Sequence, residues 1–208
     1  MSETELKGQA QRGAERRQAI LDAALAVFAT RGYRAGALGE IAARVDVSPA
    51  AILYHFGSKE DLLMAVIAER DRRAALALSR LPPGGGLPSI RALLSVAEAM
   101  ERQRGLAALH TVLQAENLEP DGPAHAYFLG RSRFACQWVT QLLREGQRRG
   151  EVRPDVSCKA KARELIAFLE GAAVLWLLDD DISLAELYAT DPGAFVRASE
   201  ACRPRRAP

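Results

Sequence analysis

The chain has 208 residues, 49% apolar and 26% charged, a globular balance that excludes a disordered, collagen-like or coiled-coil chain. The length allows one large or two small domains that bury a core without staples. Lys and Arg number 12 against 10 Asp and Glu over residues 1–80, 13 against 16 over 81–202, and three against none over 203–208. The net charge of +2 therefore rests on the tail, and charge alone points only weakly to nucleic acid.

Aromatics are only 6% and Ala and Leu are abundant, which predicts an all-α fold. No apolar run approaches the roughly 18 residues of a membrane-spanning helix, and the opening MSETELKGQAQRG has no apolar signal core. A cytoplasmic protein with no membrane partner is expected. Cys136, Cys158 and Cys202 lie far apart without C-x-x-C spacing, so neither a disulfide framework nor a zinc cage is predicted. No metal and no cofactor is expected.

In chain order, Glu15 to Arg31 sets Ile20, Leu21, Ala24, Leu25 and Phe28 on one helical face, and Gly32 is a natural stop. Leu38 to Val45 repeats the pattern over about two turns. Ser48 is then an N-cap with Pro49 in the first helical position, and Ile52 and Phe56 form an apolar pair one turn apart. Ser58 and Asp61 approximate a capping box that opens a long fourth helix through Leu62, Leu63, Val66 and Ile67. Two short helices around the turn Asp46-Val47-Ser48, flanked by amphipathic helices, read as a helix-turn-helix whose third helix projects its polar side into a major groove.

The matched stretch is GYRAGALGEIAARVDVSPAAILYHFGSKEDLL, preceded by Ala23-Ala24 and Phe28. It resembles the N-terminal domain of TetR-type (tetracycline-repressor-like) transcriptional regulators over residues 14–74. The resemblance implies a homodimeric DNA-binding regulator, usually a repressor of a palindromic operator. It also implies that the C-terminal helices, 75–202, dimerise and enclose a small-molecule effector, with residues 1–13 and 203–208 as flexible tails. Where that family carries Ser or Thr ahead of the second helix this chain has Gly36-Ala37, and its usual turn Gly is Asp46.

The expected DNA face is Arg44, Ser48, Pro49, Ala50, Ala51, Leu53, Tyr54, His55 and Lys59. Ala50 and Ala51 can approach thymine methyls, Tyr54 and His55 can bond phosphate or bases, and Lys59 sits in a first helical turn that favours phosphate. Arg12, Arg16, Arg17 and Arg34 are further sources of backbone charge. The resemblance places Ala51 and Leu53 at base-contact positions.

The connection Leu81 to Pro88, with two prolines and three glycines, separates the two parts. Beyond it, periodicity and the family layout together give an effector pocket of Met100, Leu109, His110, Leu113, Phe134 and Trp138. Arg131 interrupts the stripe of Tyr127, Phe134, Trp138 and Leu142. It snorkels, pairs with an acid such as Glu116, or binds an anionic ligand. With the family layout, the late apolar helices suit a dimer interface of Leu165, Leu169, Ala172, Trp176 and Phe195, the alternative being the chain's own core. Asp179 to Asp181 read as a solvated loop, since three successive residues converge poorly on one cation.

Catalysis is not expected: His55, His110 and His125 lie on separate segments, and no nucleophile motif accompanies them. The rival to a DNA-binding regulator is an all-helical small-molecule-binding or interaction protein that does not bind DNA.

Overall fold

Between Ile20 and Phe28 the apolar residues recur every three or four positions, and the helix turns Ile20, Ala24, Val27 and Phe28 fully inward. The computed structural model describes residues 3–78, 85–95 and 100–190, and these form helices with no β-strand. Helix α1 (Glu3–Ala35) starts well ahead of that buried face. Residues 3–13, expected as a flexible tail, are instead its first turns. Glu, Leu, Lys, Gln, Ala and Arg dominate that stretch and favour helix, and Gln11 donates to the Glu15 carboxylate one turn on (3.1 Å). Gly32, at φ 75° and ψ 176°, breaks α1 at the predicted stop.

Helix α2 (Leu38–Arg44) has an extended Ala37 at its N-cap and no side-chain hydrogen bond there. In the turn that follows, the N–H groups of Val45 and Val47 both donate to the Ala42 carbonyl (3.2 and 3.1 Å). Asp46 takes the left-handed conformation this requires, at φ 52°. Helix α3 (Pro49–Phe56) opens on Ser48, whose Oγ accepts the Ala51 N–H at 3.1 Å. Such a cap contributes about 1 kcal/mol. Helix α4 (Lys59–Leu78) opens on Ser58, which accepts the Asp61 N–H (2.9 Å) and donates to the Asp61 carboxylate (2.6 Å). Ile41, Ala42, Ile52, Phe56, Leu62, Leu63 and Val66 complete the core on which α1, α2 and α3 meet.

Then follow α5 (Gly86–Ser95), α6 (Arg104–Glu116), α7 (His125–Arg148), α8 (Cys158–Leu178) and α9 (Leu184–Thr190). The chain divides into two units: residues 1–74 with 105–125, and 75–104 with 126–208. Residues 105–125, most of α6 among them, gather with the first unit. Leu109 and Leu113, one turn apart on α6, are each 1% exposed. The break after α6 is locked by buried Asn117, which donates to the Leu113 carbonyl and accepts the Ala124 N–H, both at 2.8 Å.

In the second unit α7 buries Phe128, Val139, Leu142 and Leu143, while α8 buries Ala162, Leu165, Ala172, Ala173 and Trp176. Helix α9 packs on α8 and α5, and its Tyr188 hydroxyl donates to the Leu169 carbonyl (3.2 Å). Glu101 caps α9 by accepting from the Ala185 N–H and the Ser183 hydroxyl (3.0 and 2.9 Å).

One ion cluster braces α4 in the first unit. The buried Glu69 carboxylate accepts two bonds from Arg72 (2.8 Å each) and one from Arg73 (2.7 Å), and Arg73 also reaches Asp22 on α1. The Arg72 hydrogen bonds, reinforced by Arg73, hold Glu69 down to about 2 against the ordinary 4.5. A depressed carboxylate stabilises the fold above its unfolded pKa and loses that contribution as pH falls through the folded one. Melting temperature is therefore expected to drop from about pH 4.5 toward 2. The advantage of the native chain over Glu69→Gln should shrink across that same window in thermal melts, and a gap independent of pH would contradict the assignment.

Candidate nucleic-acid interface

Helix α3 has two turns, and only Ile52 and Phe56 face inward. Their burial commits the opposite side to solvent: Ser48, Pro49, Ala50, Leu53 and Tyr54 are exposed, and Ala51 and His55 are half-buried. Tyr54 stands 87% exposed, its ring edge-on to His55 at 5.5 Å. No acidic residue occurs between Asp46 and Glu60.

Cations border the helix. The Arg17 guanidinium lies 4.6 Å from the Phe56 ring centroid, which fixes it on the α1 side. Arg44 is exposed and pairs with Glu40 at 3.4 Å, a surface contact worth little. Lys59, at the start of α4, lies 4.7 Å from the Tyr33 ring centroid and donates to the Arg34 carbonyl at 3.4 Å. The outward side of α3 thus carries Ser48, Pro49, Ala50, Leu53 and Tyr54, with Lys59 opening α4. It can offer small apolar contacts from Ala50, Ala51 and Leu53 to base edges, hydroxyl and imidazole groups from Tyr54 and His55, and an ammonium beside a helix N-terminus to phosphate.

Sequence reasoning missed two supports of this surface: the Arg17 stack, and Glu116, whose carboxylate accepts the Tyr33 N–H at 2.6 Å and the Arg34 N–H at 3.3 Å. Glu116 stands 83 residues from Tyr33, and no local signal joins them.

The remaining predicted sites are placed as follows. Leu109 and Leu113 are buried in the first unit and His110 is half-buried there, whereas in the second unit Met100 and Trp138 are half-buried and Phe134 is 69% exposed. Phe134 thus stands on the solvent side of α7. In α8, Leu165, Ala172 and Trp176 are buried within their own chain, with Trp176 also beneath the Arg104 guanidinium at 4.8 Å. Leu169 is half-buried, and Phe195 lies outside the described residues. Leu165, Ala172 and Trp176 are thus buried in the chain's own core, and the apolar positions that α8 leaves outward are Val174, Leu175 and Leu178. Arg104 also donates to Asp180 (2.8 Å), both within the second unit.

A helical head that lays a capped two-turn helix with an outward tyrosine on three supporting helices is a helix-turn-helix DNA-binding unit. Residues 20–66 match the family of bacterial regulatory proteins described as the tetR family. The regulator BetI of Rhizobium meliloti is 31% identical over 185 residues, 88% of this chain and 78% of BetI. The regulator UidR of Escherichia coli is 28% identical over 155 residues, 74% of this chain and 78% of UidR. A structure solved to explain control of antibiotic production by bacterial hormones shares 26% identity, with a TM-score of 0.70 over 90% of this chain and 98% of that one. The chain belongs to the tetR family. It is a DNA-binding transcriptional regulator and not an enzyme. Among the described residues no helix is long and apolar enough to cross a membrane.

Proposed function

We propose that the protein is a cytoplasmic repressor that binds a palindromic operator as a homodimer and releases it when a small, mostly apolar molecule binds. The outward face of α3, led by Tyr54 at 87% exposure, carries this reading. One two-turn helix reads too few base pairs for useful specificity, so two copies about 34 Å apart, or a multiple of it, are needed in successive major grooves. The outward apolar residues Val174, Leu175 and Leu178, with Leu129 and Phe134 on α7, supply the surface for pairing two chains. Met100 and Trp138, both half-buried in the second unit, remain assigned to the effector site, and the structure solved to explain control of antibiotic production by bacterial hormones supports a hormone-like effector.

DNA titration tests the reading. Tyr54→Ala and Lys59→Ala are expected to weaken binding to operator and to unrelated duplex by similar factors, because both side chains are assigned to the phosphate backbone, which carries no sequence information. Lys59→Ala should also reduce the dependence of log affinity on log salt by about one per subunit. Enlarging Ala50 or Ala51 is expected instead to change which operator sequence is preferred. Native affinity and salt dependence in Lys59→Ala would overturn the phosphate assignment.

A further inference from the structure

Just past the Gly32 break, one carboxylate from α6 accepts from the N–H groups of both Tyr33 and Arg34. Glu116 Oε2 accepts from Tyr33 at 2.6 Å and Oε1 from Arg34 at 3.3 Å. A side chain at position 32 would forbid the arrangement, since a Cβ there would come within 2.6 Å of the Glu116 carboxyl carbon. The two residues so held are the same two that hold Lys59. The Tyr33 ring lies 4.7 Å from its ammonium, and the Arg34 carbonyl accepts from it at 3.4 Å. Tyr33 is itself fixed edge-on against buried Phe28, with ring centroids 5.8 Å apart.

From this chain of contacts we infer that Glu116 is a positioning residue for DNA binding: by clamping the end of α1 beyond the Gly32 break it aims the Lys59 ammonium at the phosphate backbone. The inference rests on the DNA-binding reading of Lys59 and adds to it a residue from outside the helix-turn-helix. It also gives α6 a direct hold on the DNA face. A displacement of the C-terminal end of α6 that breaks the two N–H bonds frees the Tyr33-Arg34 backbone, and Lys59 loses its aim while α3 stays capped and packed. An ordinary brace would behave differently, stabilising the unit without changing how many phosphates it neutralises.

A double-mutant cycle on the full chain separates the two, with Glu116→Ala, Lys59→Ala, the double variant and Glu116→Gln. The probe is a fluorescein-labelled mixed-sequence duplex about three helical turns long, titrated by anisotropy over a potassium chloride series, with a melting curve for every variant. Lys59→Ala is expected to weaken binding several-fold and to lower the salt slope by about one per subunit. Glu116→Ala, still folded at the assay temperature, should lower the slope likewise, and adding Lys59→Ala to it should cost little more. Glu116→Gln keeps one acceptor for the Tyr33 N–H and should recover part of the slope. A native slope in Glu116→Ala beside a reduced slope in Lys59→Ala, or simple additivity in the cycle, overturns the inference while leaving the DNA reading intact. A native slope in Lys59→Ala overturns the phosphate assignment and the inference with it. If Glu116→Ala does not fold, the slope of Glu116→Gln against that of the native chain decides by the same criterion.

Discussion

Val174→Asp combined with Leu178→Asp is expected to yield a folded chain that sediments as a monomer and loses its grip on operator DNA. Both side chains point away from their own core, Leu178 at 79% exposure, so two carboxylates there cost the single chain little. In a dimer that buries this face, four unpaired carboxylates would have to be stripped of water, which outweighs the apolar contact that holds the halves together. Splitting the dimer turns a two-site grip into a one-site grip, and operator affinity should fall by about a hundredfold or more. Sedimentation equilibrium at micromolar protein with matched anisotropy titrations is the measurement, and a variant that remains dimeric would place the interface elsewhere. Trp176→Ala is the contrast. Trp176 is 5% exposed beneath Arg104, so its truncation opens a hole in the chain's own core and should lower stability by about 3–5 kcal/mol rather than dissociate the dimer.

The second large effect is expected at Gly32. Its φ of 75° with ψ of 176° belongs to a region that other residues pay about 1–3 kcal/mol to enter. Gly32→Ala adds a Cβ against the Glu116 carboxylate. That side chain can swing aside only by abandoning the Tyr33 and Arg34 N–H groups, a further loss of about 1.5–3 kcal/mol. Together these reach a large fraction of the stability of a typical domain. Urea unfolding measures the total, and Gly32→Ala in a Glu116→Ala background should cost less than in the native chain because only the dihedral penalty remains. Equal costs in both backgrounds would show that the clash is relieved elsewhere.

What the sequence made legible was local. The Gly32 stop, the Ser48 and Ser58 caps and the Ile52–Phe56 pair each depend on residues within one or two turns, and all four stand as read. The Glu116 clamp depends on contact across 83 residues, where spacing carries no information. The outward apolar face of α8 was illegible for a different reason. Leu165, Ala172 and Trp176 are buried in the chain's own core, while Leu169 is half-buried. Core and interface draw on the same residue types, so the weaker outward set of Val174, Leu175 and Leu178 could be told apart only once burial was known.

Because residues 105–125 gather with residues 1–74, the DNA-reading head is a discontinuous module. Recombination that exchanges only the first 74 residues between two such regulators would join a new head to a foreign α6, with a foreign residue facing the Tyr33 and Arg34 N–H groups. A chimera built to move operator preference from one effector to another therefore has to carry 105–125 with 1–74, and the grafting joints belong at 74/75, 104/105 and 125/126. The portable unit of this protein is two pieces of chain that travel as one.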